Sequence, residues 1–308
     1  MNRSARGIRH VARGRPPLWK LSVRMFRLLS SIIGLIVICA VVGGAGLLYV
    51  LYIYGQDLPD YRQLANYEPP VMTRVHAGDG RLLAEFARQK RVFVPIEAIP
   101  KRVIKAFLSA EDKTFYEHPG IDIPGVIAAA LRNLKNIGSD RRPQGASTIT
   151  QQVAKNFLLT NEVSIERKIK EAILAFRIER AFTKDRILEL YLNEIYLGLG
   201  SYGVAAAALN YFNKSMDELS VAEAAYLAAL PKAPNNYHPI RQLQAAQARR
   251  DWVVNRMFED GLITDEEAKR AWTEPLRVSQ RIDTEFVEAD YFAEEVRREL
   301  LDQYGEDQ

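Results

Sequence analysis

The stretch Lys101-Arg-Val-Ile-Lys-Ala-Phe-Leu-Ser-Ala-Glu111-Asp112-Lys-Thr-Phe115-Tyr-Glu-His118-Pro-Gly120 puts an acid where an apolar residue belongs. Read as a helix, it places Ile104, Phe107, Leu108, Glu111 and Phe115 on one stripe, with a carboxyl group in the middle of the apolar face. A carboxylate there is costly unless it is paired or neutral. Desolvation is expected to raise its pKa, which suits a group that moves a proton near neutral pH. A lone Glu in such a place is also commonly satisfied by an Arg or Lys, and on this stretch alone that structural role leads. His118 follows seven residues later, on nearly the same face if the helix continues. Pro119 and Gly120 directly after it favour a donor that orients a loop over a proton carrier.

Outward from this stretch, charge and hydropathy divide the chain of 308 residues. The net charge of +4 suggests a nucleic-acid binder, but eight of the 42 bases (Arg3, Arg6, Arg9, Arg13, Arg15, Lys20, Arg24, Arg27) lie in residues 1–27, which contain no acid. The remaining 34 bases face 38 acids, so no nucleic-acid partner is expected. From Leu28 to Gln56 no residue is charged, and the run is long enough to span a hydrocarbon layer of roughly 30 Å. A single membrane helix over residues 28–55 is expected, its basic flank holding the N-terminus in the cytoplasm and the rest exported. Trp19 at one end and Tyr49, Tyr52 and Tyr54 at the other fit interfacial anchors, and the run is too long for a cleaved signal peptide. The one cysteine, Cys39, lies inside it, so the exported part has to fold without disulfides.

Residues 56–95 read as an approach segment containing a short hairpin from Val75 to Ala84 with Gly78-Asp79-Gly80 as its turn. Helices then dominate. The first follows Ile99-Pro100, and the next runs from Asp122 to Leu134 with Pro124 in its opening turn. Gly138 to Gly145 is polar, turn-forming and expected to be mobile. Further helices are expected from Ser147 to Leu158, Ser164 to Ala181 and Lys184 to about Tyr196, and capping boxes at Ser220/Glu223 and Thr264/Glu267 mark two more. The expected architecture is mainly α.

Two more clusters carry chemistry. In Gly145-Ala-Ser147-Thr148-Ile-Thr-Gln151-Gln152-Val-Ala-Lys155-Asn, the residues Thr148, Gln152 and Lys155 make a polar helical stripe, although a solvated face looks the same. In Arg167-Lys168-Ile-Lys-Glu171-Ala, Lys168 and Glu171 sit one turn apart, the spacing of an ordinary surface ion pair. The alternative is a cation for phosphate beside a second carboxylate that steers a metal ion or a leaving group.

In this order the three clusters resemble the first three motifs of the peptidoglycan glycosyltransferases, the family 51 domain of class A penicillin-binding proteins. Ala146 stands where Gly is common in the second. Ile187-Leu-Glu-Leu-Tyr-Leu-Asn-Glu-Ile-Tyr-Leu-Gly198 is similar to the fourth motif, and Ala224 to Pro234 followed by His238-Pro239 is similar to the fifth. The resemblance covers about residues 70–245 and implies a lysozyme-like domain over 96–245. Residues 246–308 resemble a helical linker towards a transpeptidase domain, and neither Ser-x-x-Lys nor Lys-Thr-Gly occurs in this chain.

The implied substrates are lipid II and the growing glycan chain, joined at the bacterial inner membrane on its periplasmic side, with other cell-wall synthesis proteins as partners. Glu111 would be the general base and Glu171 would assist the donor pyrophosphate, directly or through a divalent cation (Mg2+ or Mn2+). Lys155 and Lys168 would neutralise the leaving group, while Asp112, Ser147, Thr148, Gln151 and Gln152 shape the site and Phe115, His118 and Arg167 support it. Moenomycin would compete as a mimic of the donor glycan. A membrane-bound hydrolase or lytic transglycosylase is the nearest alternative, since it also uses a buried Glu, but it has no need of cations placed for pyrophosphate. A silent scaffold has no need of Glu111 and Glu171.

Overall fold

The computed structural model describes residues 18–65, 67, 73–76, 82–86, 90–136, 145–160, 162, 164–279 and six positions between 295 and 303. The Gly78-Asp79-Gly80 turn, positions 138–144 of the expected mobile loop and most of the basic tail lie outside the described residues. The chain forms two compact units, Met1–Asp57 and Leu58–Gln308.

The described residues of the first unit form one helix, α1 (Leu18–Gly55), and the two residues after it. Within it Leu29–Gly55 is, among the described residues, the one helix long and apolar enough to cross a membrane. At 1.5 Å per residue its 27 residues extend about 40 Å. The helix starts well before residue 28 because Lys20, Arg24 and Arg27 are good helix formers that continue it through the basic flank.

The second unit is mainly α. A hairpin of β1 (Thr73–His76) and β2 (Leu82–Phe86) pairs antiparallel with Val75 opposite Ala84 and a bulge before His76. The approach segment ends in β3 (Lys90–Arg91), which pairs in parallel with β4 (Ser201–Tyr202). That pairing is illegible in sequence because each strand has two residues. The helices are α2 (Lys101–Glu111), α3 (Ile123–Lys135), α4 (Ile149–Leu158), α5 (Ile165–Ala181), α6 (Lys184–Glu194), α7 (Val204–Phe212), α8 (Val221–Ala229), α9 (Leu243–Glu259) and α10 (Asp265–Thr273).

The core forms around α8. Ala224, Ala225, Leu227, Ala228 and Ala229 are fully buried, and the small side chains let α2 and α9 pack close on both sides. Both expected capping boxes are present: Ser220 accepts from the Glu223 amide, and Thr264 from that of Glu267. Tyr226 stacks edge-on with Tyr211 (5.7 Å) and Phe212 (6.1 Å), and its hydroxyl donates to the Tyr237 carbonyl at 2.9 Å.

The motif on α6 is a clamp for the approach segment. Asn193 accepts from the Val94 amide and donates to the Val94 carbonyl, both at 2.8 Å, and Glu189 accepts from the Ile96 amide at 2.8 Å. Gly203 makes the return after β4 possible, since its φ is +79° and a Cβ there would lie 2.5 Å from the Asn193 carbonyl oxygen.

Two expectations change. The first helix ends at Glu111, so Phe115 and His118 do not continue its stripe. The Asp112 backbone turns out of the helix (φ −159°, ψ 77°), and the loop after it brings both rings back into the protein. The boundary at residue 245 also moves, because α9 belongs to the core: Ala246, Val253, Val254 and Met257 are all 0% exposed. Met257→Ala is accordingly expected to cost about 2–5 kcal/mol of unfolding free energy by denaturant titration of the full chain in detergent. A linker residue would change it by less than about 0.5 kcal/mol.

Candidate active site

Glu111 closes α2, and its carboxyl accepts a hydrogen bond from Gln152 Nε2 on α4 at 2.8 Å. Burial raises its pKa above the ordinary value, opposed by the Gln152 bond and by the charges of Arg249 and Lys232, with Asp112 adding to the rise. An acid biased towards holding its proton therefore sits at a helix end, next to its neighbour's carboxylate.

That neighbour is the hub of the site. Asp112 accepts from His118 Nε2 at 2.9 Å and from the Ile149 amide, at the start of α4, also at 2.9 Å. His118 Nδ1 in turn accepts from the Gly120 amide at 3.2 Å, so the proton is on Nε2 and the ring is a neutral donor to Asp112. With both ring nitrogens occupied, His118 orients the loop. Gly120 has a φ of +94°, and a Cβ there would meet the Ala175 carbonyl oxygen at 2.8 Å.

Thr148 is the N-cap of α4 and lies outside the polar stripe expected of it. Its hydroxyl donates to the Gly120 carbonyl at 2.6 Å and accepts from the Gln151 amide, while the Gln151 side chain accepts from the Thr148 amide at 3.0 Å. Thr148 and Gln151 are buried and engaged in this capping box. Phe115 is fully buried, with Lys184 Nζ over its ring at 4.4 Å; that ammonium also donates to the His118 carbonyl at 2.7 Å.

The third cluster faces this assembly. Glu171 is 1% exposed and accepts from Arg167 and from Lys168 Nζ, the latter at 2.5 Å. Lys168 also donates to Ser147 Oγ at 2.6 Å, tying α5 to the loop before α4. Lys155 is half-buried and has no ion-pair partner among the described residues. Burial lowers its pKa; Glu171 and Glu111 raise it, and Arg167 and Lys168 lower it. Lys155 thus stands within the field of both carboxylates. Three cations around one carboxylate leave net positive charge for an anion.

A cavity of about 590 Å³ opens on Glu111, lined among others by Asp112, Ser147, Thr148, Trp252 and Arg256. Sequence reasoning missed what α9 and the segment after α8 bring here. Lys232 and Arg249 are coupled to Glu111, and neither forms an ion pair among the described residues. The Arg249 guanidinium stacks on Trp252 at 3.9 Å, and its Nε is buried without a hydrogen-bond partner among the described residues. Lys232, between two prolines, carried a local signal; Arg249 read as the start of a linker.

The family model described as Transglycosylase matches residues 79–258. The chain belongs to the transglycosylase family. It is similar to penicillin-binding protein 1A of Rickettsia felis, with 53% identity over 277 residues, covering 90% of this chain and 35% of the relative. It is likewise similar to penicillin-binding protein 1A of Aquifex aeolicus (45% identity; 92% and 38% covered) and of Escherichia coli K12 (42%; 88% and 32%). The chain thus spans about a third of the length of these relatives. A crystal structure of penicillin-binding protein 1A from Haemophilus influenzae is 29% identical, with a TM-score of 0.46 over 78% of this chain and 26% of that one. The transglycosylase match runs through most of α9, and so includes Lys232 and Arg249 with the three predicted clusters.

The raised pKa of Glu111 has a consequence for stability. The folded chain holds this proton over a pH window in which the unfolded chain, titrating near the ordinary value of about 4.3, has released it. Ionising Glu111 therefore costs stability as pH rises through that window, by up to about 1.4 kcal/mol per pH unit. Glu111→Gln is expected to melt above the wild type at pH 7, with the gap closing as pH falls towards 4. A pH-independent gap in thermal melts would contradict the assignment of burial as the cause.

Proposed function

We propose that this chain is a peptidoglycan glycosyltransferase that polymerises lipid II into β-1,4-linked glycan. The observation that carries the reading is the pairing of a proton-accepting acid, Glu111, with a cation cluster, Lys155, Arg167 and Lys168, that keeps positive charge beyond what Glu171 neutralises. A hydrolase has no use for the cations; displacement of a diphosphate uses both the acid and the cations.

In this reaction the 4-hydroxyl of the acceptor N-acetylglucosamine attacks the anomeric carbon of the growing chain from the face opposite the lipid diphosphate. The new C–O bond forms as the bond to diphosphate breaks, with inversion. The hydroxyl proton passes to Glu111, whose raised pKa suits it to take that proton and release it to solvent afterwards. The bond electrons leave on the diphosphate, whose charge meets Lys155, Lys168 and Arg167. Gln152 fixes the face that Glu111 presents. Asp112, His118, Thr148 and Gln151 hold the backbone that places Glu111 and Ser147.

Among the described residues no group of three His, Cys, Asp or Glu side chains is placed to hold a metal ion. Both oxygens of Glu171 accept from cations, and the surrounding charge repels a divalent cation. These residues do not fit a resident metal site. A divalent cation in this reading arrives with the substrate's diphosphate, as Mg2+ commonly does. A chelator is then expected to lower polymerisation without lowering the melting temperature of the substrate-free chain.

The lipid-linked substrate also accounts for α1, with the basic residues before it on the cytoplasmic side and the second unit on the outside. Ile123, Val126, Ile127, Leu131 and Leu134 of α3 are 42–67% exposed and form an apolar stripe that supports contact between this helix and lipid. Glu111→Gln is expected to lower polymerisation of purified lipid II by at least about a hundredfold. Unchanged polymer would remove the base assignment, and shortening of finished peptidoglycan by the wild type would favour a lytic enzyme. Moenomycin is expected to inhibit the polymerisation.

A further inference from the structure

Helix α9 has two faces. Ala246, Val253, Val254 and Met257 pack into the core, while Trp252, Asn255, Arg256 and Glu259, at i, i+3, i+4 and i+7, line the cavity that opens on Glu111. The mechanism above uses none of these four. Three are polar, and the fourth is a tryptophan that stays 38% exposed. The Arg249 guanidinium lies over its ring at 3.9 Å and steadies it. Just past Glu259, Asp260 is ion-paired with Lys113 at 2.6 Å. That pair braces the end of α9 against the turn that follows Glu111 and Asp112.

The cavity belongs to one side of the reaction. Glu111 and Ser147 line it, but Lys155, Arg167 and Lys168, read above as the partners of the leaving diphosphate, are not among its described lining residues. Ser147, held by Lys168 at 2.6 Å, marks the border between the two regions. A space that contains the base and not these cations suits the acceptor, which gives up a proton, better than the donor. Its volume of about 590 Å³ is in the ordinary range for a ligand site. A pyranose presents C–H groups on one face and polar groups around its rim. The C–H hydrogens are slightly positive and meet the negative face of an aromatic ring, while the rim needs hydrogen-bonding partners. An indole flanked on one helix face by an amide, a guanidinium and a carboxylate supplies both.

We propose that Trp252 is the sugar platform of the acceptor: its indole stacks on the acceptor N-acetylglucosamine and presents the 4-hydroxyl to Glu111, with Asn255 and Arg256 bonding the rim. The proposal rests on the reading of this chain as a lipid II polymerase. Trp252 forms and breaks no bond in the reaction. It holds the sugar equally before and during transfer, so its loss acts on KM for the acceptor and spares kcat.

The test is elongation of a preformed lipid-linked glycan oligomer, present in excess, by the full chain in detergent. Lipid II is varied and serves as the acceptor. Trp252→Leu keeps an apolar side chain but loses the flat ring, and is expected to raise KM for lipid II about tenfold with kcat within about twofold. Trp252→Phe restores a ring and is expected to recover most of that loss. An unchanged KM in the Leu variant would overturn the proposal, and so would a fall in kcat that the Phe variant does not recover.

A second measurement needs neither turnover nor a change at position 252. In the Glu111→Gln chain, nitrogen NMR follows the indoles of the three tryptophans, with Trp19→Phe and Trp272→Phe assigning the other two. The Trp252 resonance is expected to move on titration with lipid II and to stay in place with undecaprenyl diphosphate, which lacks the sugars. A resonance that lipid II leaves unmoved would overturn the proposal, as would one that both ligands move equally. If the wild type makes no polymer, the proposed function fails, and the indole titration still reports whether Trp252 meets the sugars.

Discussion

The carboxylate of Asp112 is the constraint on which the site depends. It is buried, and burying a carboxylate is tolerable only when donors surround it. His118 supplies one and the Ile149 amide another, and each comes from a different part of the chain. The first bond folds the loop after α2 back on itself; the second docks the N-terminus of α4, whose dipole favours an anion. The end of α2, the His118 loop and the start of α4 therefore have one arrangement in which the charge is satisfied. Glu111, Gln152, Ser147 and Thr148 take their places from that arrangement.

The same device explains how two carboxylates in sequence take opposite roles. Asp112 has donors from the backbone and a ring, so its charge is structural. Glu111, next to it, has one amide donor and lies in a partly dry recess, so its charge is disfavoured. Glu171 shows a third solution, a buried acid held by two cations. Removing one partner from such a pair leaves an uncompensated charge, which makes this cluster sensitive to single changes. Lys155 feels the charges of Glu111, Glu171, Arg167 and Lys168 alike, and so stands between the Glu111 carboxyl and the Glu171 cluster.

Much of this was legible in the chain because it is local. Helix starts were marked by Ser164, Ser220 and Thr264, whose side chains cap their own amides within three residues. The polar clusters stood out as acids and cations at helical spacing. Three features were not legible for one reason: they pair residues far apart in the chain. The β3–β4 pairing joins residues about 110 apart. The bond from the Thr148 hydroxyl to the Gly120 carbonyl joins α4 to the His118 loop, 28 residues back in the chain. Arg249 looked like linker because nothing near it in sequence says that α9 returns to Glu111.

The sequence by itself determined the apolar span, the mainly helical character, the caps and the set of ionisable groups, because propensity, periodicity and capping act over a few residues. Only the tertiary structure decided what each ionisable group does. How an acid behaves depends on which donors and charges surround it, and for Glu111 the Gln152 donor and the Lys232 and Arg249 charges come from about 40 to 140 residues away. Desolvation and Coulomb interaction act through space rather than along the chain.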